Sequence, residues 1–513
     1  MKVSLITFSP SLSSFGVRTL SSILKKSGIN VQLIFFVPRT WEENYSFSNS
    51  QLESLLDACK DSNLIGISLM SHQFNLAEQI TSFAKSNHCD IPIIWGGVHP
   101  TIRPDESICH ADIICRGEAE YSLLDLVLKM DRGDDFYDIR GLWFKDASGK
   151  IIKNEVSPRI SNLDEIEFQD IDYQSFKLLG KSRIRKIDTH LFSKLGGYCY
   201  HTQPTRGCPF QCSYCINSYI RDLFNEKKPY VARSIDNVIS ELLNAKQKMP
   251  FLKEVVFHDD CFSFLPLESL KYFAAKYKKH IGLPLCVMGF TPQTSTKEKV
   301  ETLIDGGLYK VRMGINSGND KTKMMYKRKL SNEKILSATK VYHSFHKKLG
   351  HLAYDFIVDN PWEASEDIIE TLKLLLDIPN PYVVKIFSLK FFLGTDLYYK
   401  AVEDNLINDE TRQCYDKDFK GMADNHINSL FLLICYYPFL KPIIRKFLPD
   451  IVRNKHHPLN LILKLFKIFL PVFVYCNFFY RKKLMNVLKS LAKLDASPFS
   501  YYFRTYRILK PNN

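Results

Sequence analysis

The sequence predicts an α/β protein built from two successive runs of strand–helix units and closed by an apolar, basic helical segment. Three observations carry this. Short apolar runs alternate with helical patterns from residue 1 to about 130, and such alternation makes a parallel sheet covered on both faces. The rhythm resumes from about 200 to 400 as six β-then-α units, an incomplete version of the eight-unit barrel. Past 400 the pattern turns helical, aromatic and basic.

A chain of 513 residues, 45% hydrophobic and 24% charged, is long enough for two or three folded domains. Thirteen cysteines are scattered with one tight cluster, which argues against a secreted disulfide framework and for a reducing cytoplasm. The first residues read as a strand and lack the apolar core and cleavage site of a signal peptide. A net charge of +14 raises nucleic acid as a partner, but its distribution argues against it. Residues 421–513 hold 15 Lys and Arg against 3 Asp and Glu, so nearly all the excess lies far from the cysteine cluster.

In the first run, strands are expected at Lys2–Phe8, Val31–Val37, Leu64–Met70, Ile91–Trp95 and Ile113–Cys115. The helices between them cover Phe15–Lys26, Leu52–Cys59, Leu76–Ser86 and Leu123–Met130. Val17, Leu20 and Leu24 share one face of the first helix, and Gly28 stops it. The fourth strand ends in Gly96-Gly97-Val98-His99-Pro100 and the fifth in Gly117-Glu118-Ala119-Glu120. Ligands of such sheets bind beyond the carboxyl ends of the strands. On pattern alone this is a generic flavodoxin-like (Rossmann-type) domain, and an ordinary turn competes as the reading of each glycine.

Residues 136–195 read as a connector between a first domain at 1–135 and a barrel at 196–400. Gly141–Ile152 carries a hairpin with a Ser-Gly turn, and the acidic stretch Leu163–Asp172, without periodicity, reads as a linker. Barrel strands are expected at Tyr200–Thr205, Glu254–His258, Leu285–Phe290, Tyr309–Ile315, Leu352–Val358 and Val383–Leu389. Ser234 caps the helix after the first of them. The active site of such a barrel lies at the carboxyl ends of its strands.

The chemistry emerges there, in Thr205-Arg206-Gly207-Cys208-Pro209-Phe210-Gln211-Cys212-Ser213-Tyr214-Cys215. Three thiolates in C-x3-C-x2-C spacing on a short loop suit three corners of an iron–sulfur cube and leave one iron open. A zinc knuckle completed by His201 or His258, and a redox C-x-x-C pair, are the competing readings. The pair leaves Cys208 unexplained, and neither accounts for the aromatic before the last cysteine.

C-x3-C-x-aromatic-C after a first barrel strand resembles the signature of the radical S-adenosylmethionine (SAM) superfamily. The resemblance implies that Cys208, Cys212 and Cys215 hold a [4Fe–4S] cluster whose open iron chelates SAM. One electron, from a donor such as flavodoxin or ferredoxin, then splits the sulfonium and yields a 5′-deoxyadenosyl radical. It places Tyr214 near the SAM adenine, and Asp259 or Asp260 where relatives carry a Gly-Gly-Glu that meets the SAM amino group. Asn316, beside Ser317, stands where relatives usually have the ribose-binding Glu, and Arg328 where they often carry a basic residue for the SAM carboxylate. Helix capping or a surface role competes for each single polar residue.

G-G-x-H-P and G-E-x-E after the fourth and fifth strands resemble the N-terminal cobalamin-binding domain of many radical SAM enzymes, a likeness that covers roughly residues 1–400. It implies that loops holding Ser68, Ser71, Gly96, Gly97, His99, Gly117 and Glu118 surround cobalamin over the barrel mouth. The loop after the first strand, Ser9–Gly16, has no histidine, so no histidine from it coordinates cobalt. The fold class is then a flavodoxin-like cobalamin-binding domain, a partial (β/α)6 TIM-type radical SAM barrel and a helical C-terminal region at 401–513. The reaction implied is methylation of an unactivated carbon. Ring closure or oxidative rearrangement is the alternative among enzymes, and a non-catalytic cobalamin or redox sensor the alternative of another class.

In the C-terminal region, Ser429–Phe439 and Leu459–Tyr480 are apolar and aromatic with basic residues among them. Lys464, Lys467 and Pro471 interrupt the longer run, so interfacial amphipathic helices fit better than a span. A helical cap packed on the barrel is the competing reading. Peripheral contact with the inner face of a membrane makes a lipid-like small molecule the expected substrate.

Overall fold

A computed structural model describes residues 1–9, 11–37, 45–146, 148–225, 230–417 and 422–467. The chain divides into two compact units. The first holds residues 1–259, 279–283 and 391–417, and the second holds 260–278, 284–390 and the chain from 418 onward.

The first unit is organised on nine strands: β1 (Lys2–Phe8), β2 (Asn30–Phe36), β3 (Leu64–Ser68), β4 (Ile93–Gly96), β5 (Ile113–Cys115), β6 (Leu142–Lys145), β7 (Ile151–Lys153), β8 (Lys177–Leu179) and β9 (Ile184–Lys186). Their order in the sheet is β7-β6-β5-β4-β3-β1-β2-β8-β9. The run from β5 to β8 is parallel, while β6, β7 and β9 join antiparallel at the two ends. The central order β5-β4-β3-β1-β2 is that of flavodoxin-like sheets, whose ligands sit beyond the carboxyl ends near the switch between β1 and β3.

The inner strands are near-continuous apolar runs because both faces are covered. Val3, Ile34, Leu64 and Trp95 are fully buried. Helix Phe15–Lys26 forms over the expected residues, and Gly28 follows it at φ +83°, a conformation that only glycine adopts without strain. Ser48 starts helix Asn49–Cys59 with a capping box to Gln51.

The hairpin expected over Gly141–Ile152 is present as β6 and β7. The acidic stretch after it is more than a linker. The Asp170 carboxylate accepts hydrogen bonds from Ser21 Oγ and Lys25 Nζ, each at 2.7 Å, and its carbonyl accepts from Arg18 Nε at 2.6 Å. Its contribution is polar and buried, so it leaves no apolar periodicity to read.

The same unit carries β10 (Cys199–Thr202), β11 (Thr205–Arg206), β12 (Val231–Ala232) and β13 (Glu254–Phe257). β10 pairs parallel with β13, and β11 antiparallel with β12. The single strand expected at Tyr200–Thr205 is broken at Gln203-Pro204, because proline has no N–H to continue a ladder. Helix Ile235–Lys248 lies between β12 and β13, capped as expected by Ser234.

In the second unit β14 (Leu285–Phe290), β15 (Leu308–Asn316), β16 (His351–Val358) and β17 (Val383–Ser388) pair in parallel in that order. Helices Lys297–Gly306, Asn332–Ser344 and Ser365–Asp377 connect them. Val311, Met313, Ile315, Tyr354, Phe356 and Val384 are buried on the helix-covered face. Helix His426–Tyr436 packs there too, with Phe431 and Phe356 ring centroids 5.6 Å apart.

That last contact decides half of the C-terminal question. Residues 428–435 are buried, so the first apolar stretch is a core helix rather than an interfacial one. Among the described residues no single helix is long and apolar enough to cross a membrane; the pair His426–Tyr436 and Pro438–Arg453 meets the requirement only jointly, bent by 113°. Residues 458–467 are helical, and the rest of the stretch Leu459–Tyr480, with Arg481-Lys482-Lys483, lies outside the described residues.

Candidate active site

The cysteine loop leaves β11 at Gly207, whose φ of +85° turns the chain where a side chain would be strained. Its entry is pinned by a buried carboxylate. Asp259, 4% exposed, accepts Thr205 N–H at 2.8 Å and Thr205 Oγ1–H at 2.6 Å. Its exit is the N-cap of helix Ile216–Leu223, formed by Cys215, and Cys215 N–H donates to the Cys212 carbonyl at 3.0 Å. Between them the Ser213 carbonyl accepts Leu397 N–H at 2.9 Å.

Cys208, Cys212, Cys215 and Tyr214 are all half-buried on this one loop, and the described cysteines form no disulfide. Among the described residues no three His, Cys, Asp or Glu side chains are gathered at one point as ligands of a single metal ion. The donor set nevertheless fits an iron–sulfur cluster. Three accessible thiols lie within eight residues, on a loop fixed at both ends.

Arg206, one residue before the glycine, reaches into the loop that follows β5. It donates to Glu118 Oε1 at 3.2 Å and to Glu120 Oε1 at 2.6 Å. Glu118 Oε2 also accepts Ile160 N–H at 2.7 Å. Burial raises the Glu118 carboxyl pKa, with Arg206 opposing it. Glu118 thus ties two loops together within this unit.

The other residues expected around cobalamin cluster at the ends of β3, β4 and β5. Gly97 has φ +102°, and a Cβ there would lie 2.7 Å from the Leu69 carbonyl. Gly117 has φ +82°, with Phe224 2.9 Å from the same added atom. Gly117 N–H donates to Thr101 Oγ1 at 3.0 Å. Gly97 lets the Leu69 backbone approach closely and Gly117 lets the Phe224 ring lie against its own backbone, and glycines at strand ends are the local form a cofactor cradle needs. His99 is fully buried. Its Nδ1 lies 3.2 Å from Ser71 Oγ, and its ring packs between Phe74 and Tyr415 at 5.0 and 5.5 Å. Burial, then Arg103 and His110, push its pKa down to about 3, so it is neutral there. Ser68 and Gly96 pair across the ends of β3 and β4. In the loop after β1, Thr7 Oγ1 donates to Ser14 Oγ at 3.1 Å.

Pattern reading did not find the pair formed by His201 on β10 and His258 after β13, whose ring nitrogens lie 2.7 Å apart. Burial and then His258 push the His201 pKa down to about 3. The residues were visible as possible zinc ligands, but nothing in their spacing shows that they face one another.

Asn316, Ser317 and Arg328 come together in the second unit, to which Asp260 also belongs. Asn316 sits at φ +73°, in the left-handed region at the end of β15 that a non-glycine residue seldom occupies. Arg328 donates to the Gly314 carbonyl at 2.9 Å. Ser317 Oγ lies 3.0 Å from Thr371 Oγ1 and accepts Asn319 N–H at 3.1 Å. Nearby, Glu363 accepts Thr322 Oγ1–H at 2.8 Å, and burial above all raises its pKa to about 7.

Comparison with known proteins agrees with this geometry. The Radical SAM superfamily model matches residues 202–375, and the B12 binding domain model matches residues 1–127. The chain is 25% identical over 352 residues to an uncharacterized methyltransferase, PH0819, of Pyrococcus horikoshii, covering 68% of this chain and 71% of that one. In fold it is similar to the cobalamin-dependent SAM radical enzyme OxsB with aqua-cobalamin and SAM bound, with a TM-score of 0.64, 16% identity, and 99% of this chain and 75% of that one covered. It is also similar to the radical SAM methyltransferase TsrM of Kitasatospora setae, with a TM-score of 0.61, 14% identity, and 79% and 76% covered. A three-thiol loop in the span of the first family match and a glycine-ended parallel sheet in the span of the second lead to one assignment: the chain carries a radical SAM domain and an N-terminal B12-binding domain, and is an enzyme whose cofactors are a [4Fe–4S] cluster, SAM and cobalamin.

Proposed function

We propose that the enzyme methylates an unactivated carbon of a small-molecule substrate. The observation that carries this is the 25% identity over 352 residues to a chain named as a methyltransferase. When bound, the cluster and SAM supply a hydrogen-abstracting radical and cobalamin supplies the methyl group. Cys208, Cys212 and Cys215 hold the cluster, on a loop whose entry Asp259 steadies through Thr205. Tyr214, Asp260, Asn316, Ser317 and Arg328 position SAM. Ser68, Gly96, Gly97 and Gly117 receive cobalamin at the strand ends, while Ser71, His99 and Glu118 hold the loops that carry it. Residues 1–135 form the cobalamin domain, 136–195 its connector, 196–400 the radical SAM core and 401–513 a helical region.

The reading is tested by anaerobic turnover of the reconstituted full chain with SAM carrying a trideuterated methyl group, in an extract of small molecules. Label retained in a new product, together with 5′-deoxyadenosine, is expected. 5′-Deoxyadenosine with an unlabelled product favours ring closure or oxidative rearrangement, and no 5′-deoxyadenosine at all favours a sensor.

The reading extends to partners. A flavodoxin or ferredoxin supplies the electron. The segment at 458–467 touches an anionic membrane at the cytoplasmic face, so a lipid-like substrate is within reach. Leu461 is 70% exposed, Leu465 53% and Ile462 49%, beside Lys464 and Lys467, and apolar burial with basic attraction is the form of a peripheral contact. The full chain is expected to sediment with anionic vesicles at low salt and to release at high salt. A chain that stays in the supernatant at low salt overturns this contact.

A further inference from the structure

One segment of the first unit touches both the cysteine loop and the loops expected around cobalamin. Residues 391–417 come after β17 in the chain, yet they pack with residues 1–259. Helix Asp396–Glu403 lies in its first half, and the π-helical turn Thr411–Asp416 ends it. The first half holds the cysteine loop. Leu397 N–H donates to the Ser213 carbonyl at 2.9 Å. Gly394, at φ +78°, lies so close to Tyr219 that a Cβ there would stand 2.8 Å from the ring, and Tyr219 is on the helix that Cys215 caps.

The same segment holds the two short helices that follow Gly96-Gly97. Arg103, between helices Val98–Ile102 and Pro104–His110, donates to Tyr398 Oη at 2.8 Å and to the Glu410 carboxylate. Tyr398 Oη–H donates to that carboxylate as well. Tyr415 Oη–H donates to Glu106 Oε2 at 2.6 Å, and its ring packs on those of His99 and Phe74 at 5.5 and 5.8 Å. These polar partners stand 295 to 309 residues apart in sequence.

Apolar packing alone would hold the segment down with little direction. Charge-assisted hydrogen bonds set orientation as well as distance. Burial, then the bond to Glu410, raises the Tyr398 pKa to about 12, so its hydroxyl keeps the proton it donates. The reaction has a use for such rigidity. A radical and a methyl donor have to meet at one carbon, and a misplacement of about 1 Å costs on the order of a hundredfold in rate.

Resting on the assignment of the cysteine loop to the cluster and of the loops after β3, β4 and β5 to cobalamin, we propose that residues 391–417 hold these loops at one fixed separation, with Arg103, Tyr398, Glu410 and Tyr415 as positioning residues.

Pulsed electron paramagnetic resonance of the reconstituted full chain, poised so that reduced cluster and Co(II) cobalamin coexist, measures that separation. A single narrow distance is expected. Glu410→Ala combined with Tyr415→Phe removes both polar contacts and keeps the aromatic packing on His99. It is expected to broaden the distance distribution and to release cobalamin about tenfold faster, with iron content and circular dichroism unchanged. Glu410→Ala alone, at a side chain 38% exposed, should shift both readings in the same direction and decides the matter if the double variant does not fold. Glu53→Ala, an exposed acid on helix Asn49–Cys59, is the control and should change neither. A purely structural role would lower stability and leave the distance narrow. A broad distance in the wild type, or a wild-type distance and release rate in the folded variants, overturns the proposal. A wild-type chain that binds no cobalamin overturns the cofactor assignment beneath it, so the two failures are distinct.

Discussion

Replacing Cys208, Cys212 and Cys215 together by alanine is expected to remove the iron–sulfur absorbance and all reductive cleavage of SAM. The three thiols lie on one loop, and no other three cysteines stand within eight residues of each other. The nearest substitutes are badly placed. Cys261 is fully buried, and Cys199 Sγ lies 3.8 Å from Glu254 Oε2 on the neighbouring strand. The fold should survive, because the loop is pinned by Thr205, Asp259 and backbone contacts rather than by its thiols, and half-buried Cys→Ala changes seldom unfold a domain. The check is iron and sulfide content, absorbance and 5′-deoxyadenosine after anaerobic reconstitution, with circular dichroism to confirm folding. A folded triple variant that keeps a full four-iron complement would falsify the assignment of these ligands.

Why was this loop legible when other parts were not? Three ligands within eight residues are a local pattern, and the loop that carries them needs only a preceding strand and a glycine. The strands were legible for the same reason. Ile113–Cys115 and Leu285–Phe290 were expected where they are found, because strands buried on both faces are unbroken apolar runs. Break points such as Pro204 were legible in principle, since proline announces them. What escaped was long-range and polar. Arg206 meets Glu118 and Glu120 over more than eighty residues. The stretch around Asp170 is used for its hydrogen bonds to Arg18, Ser21 and Lys25, and no periodicity marks a buried acid.

The most consequential of these hidden polar groups for stability is Glu241, and Glu241→Leu is expected to destabilise the first unit by about 3–5 kcal/mol, the cost of stripping a buried charge of its partner. Glu241 is 2% exposed on helix Ile235–Lys248. Its carboxylate accepts Tyr200 Oη–H at 2.9 Å, Thr202 Oγ1–H at 3.0 Å and Arg233 at 2.5 Å, and Gln169 Nε2 lies 3.4 Å away. One side chain therefore joins β10, the helix that packs on it and the connector. Arg18, whose pKa burial lowers, is also held in its charged form in part by Glu241. Leucine fills most of the volume but leaves the Arg233 guanidinium, 9% exposed, without its counter-charge. It also leaves two buried hydroxyls to find other acceptors, each worth about 1–3 kcal/mol if they fail. Glu241→Gln keeps an acceptor for the hydroxyls and should lose clearly less. The double variant Glu241→Leu with Arg233→Met should recover part of the loss, because removing both charges is far cheaper than removing one. Urea unfolding followed by a probe in the first unit measures all three, with each unit fitted separately since two units need not unfold as one. A single Glu241→Leu change costing under about 1 kcal/mol, or a double variant worse than the single, would show that the network adds no stability and that the buried carboxylate serves some other end.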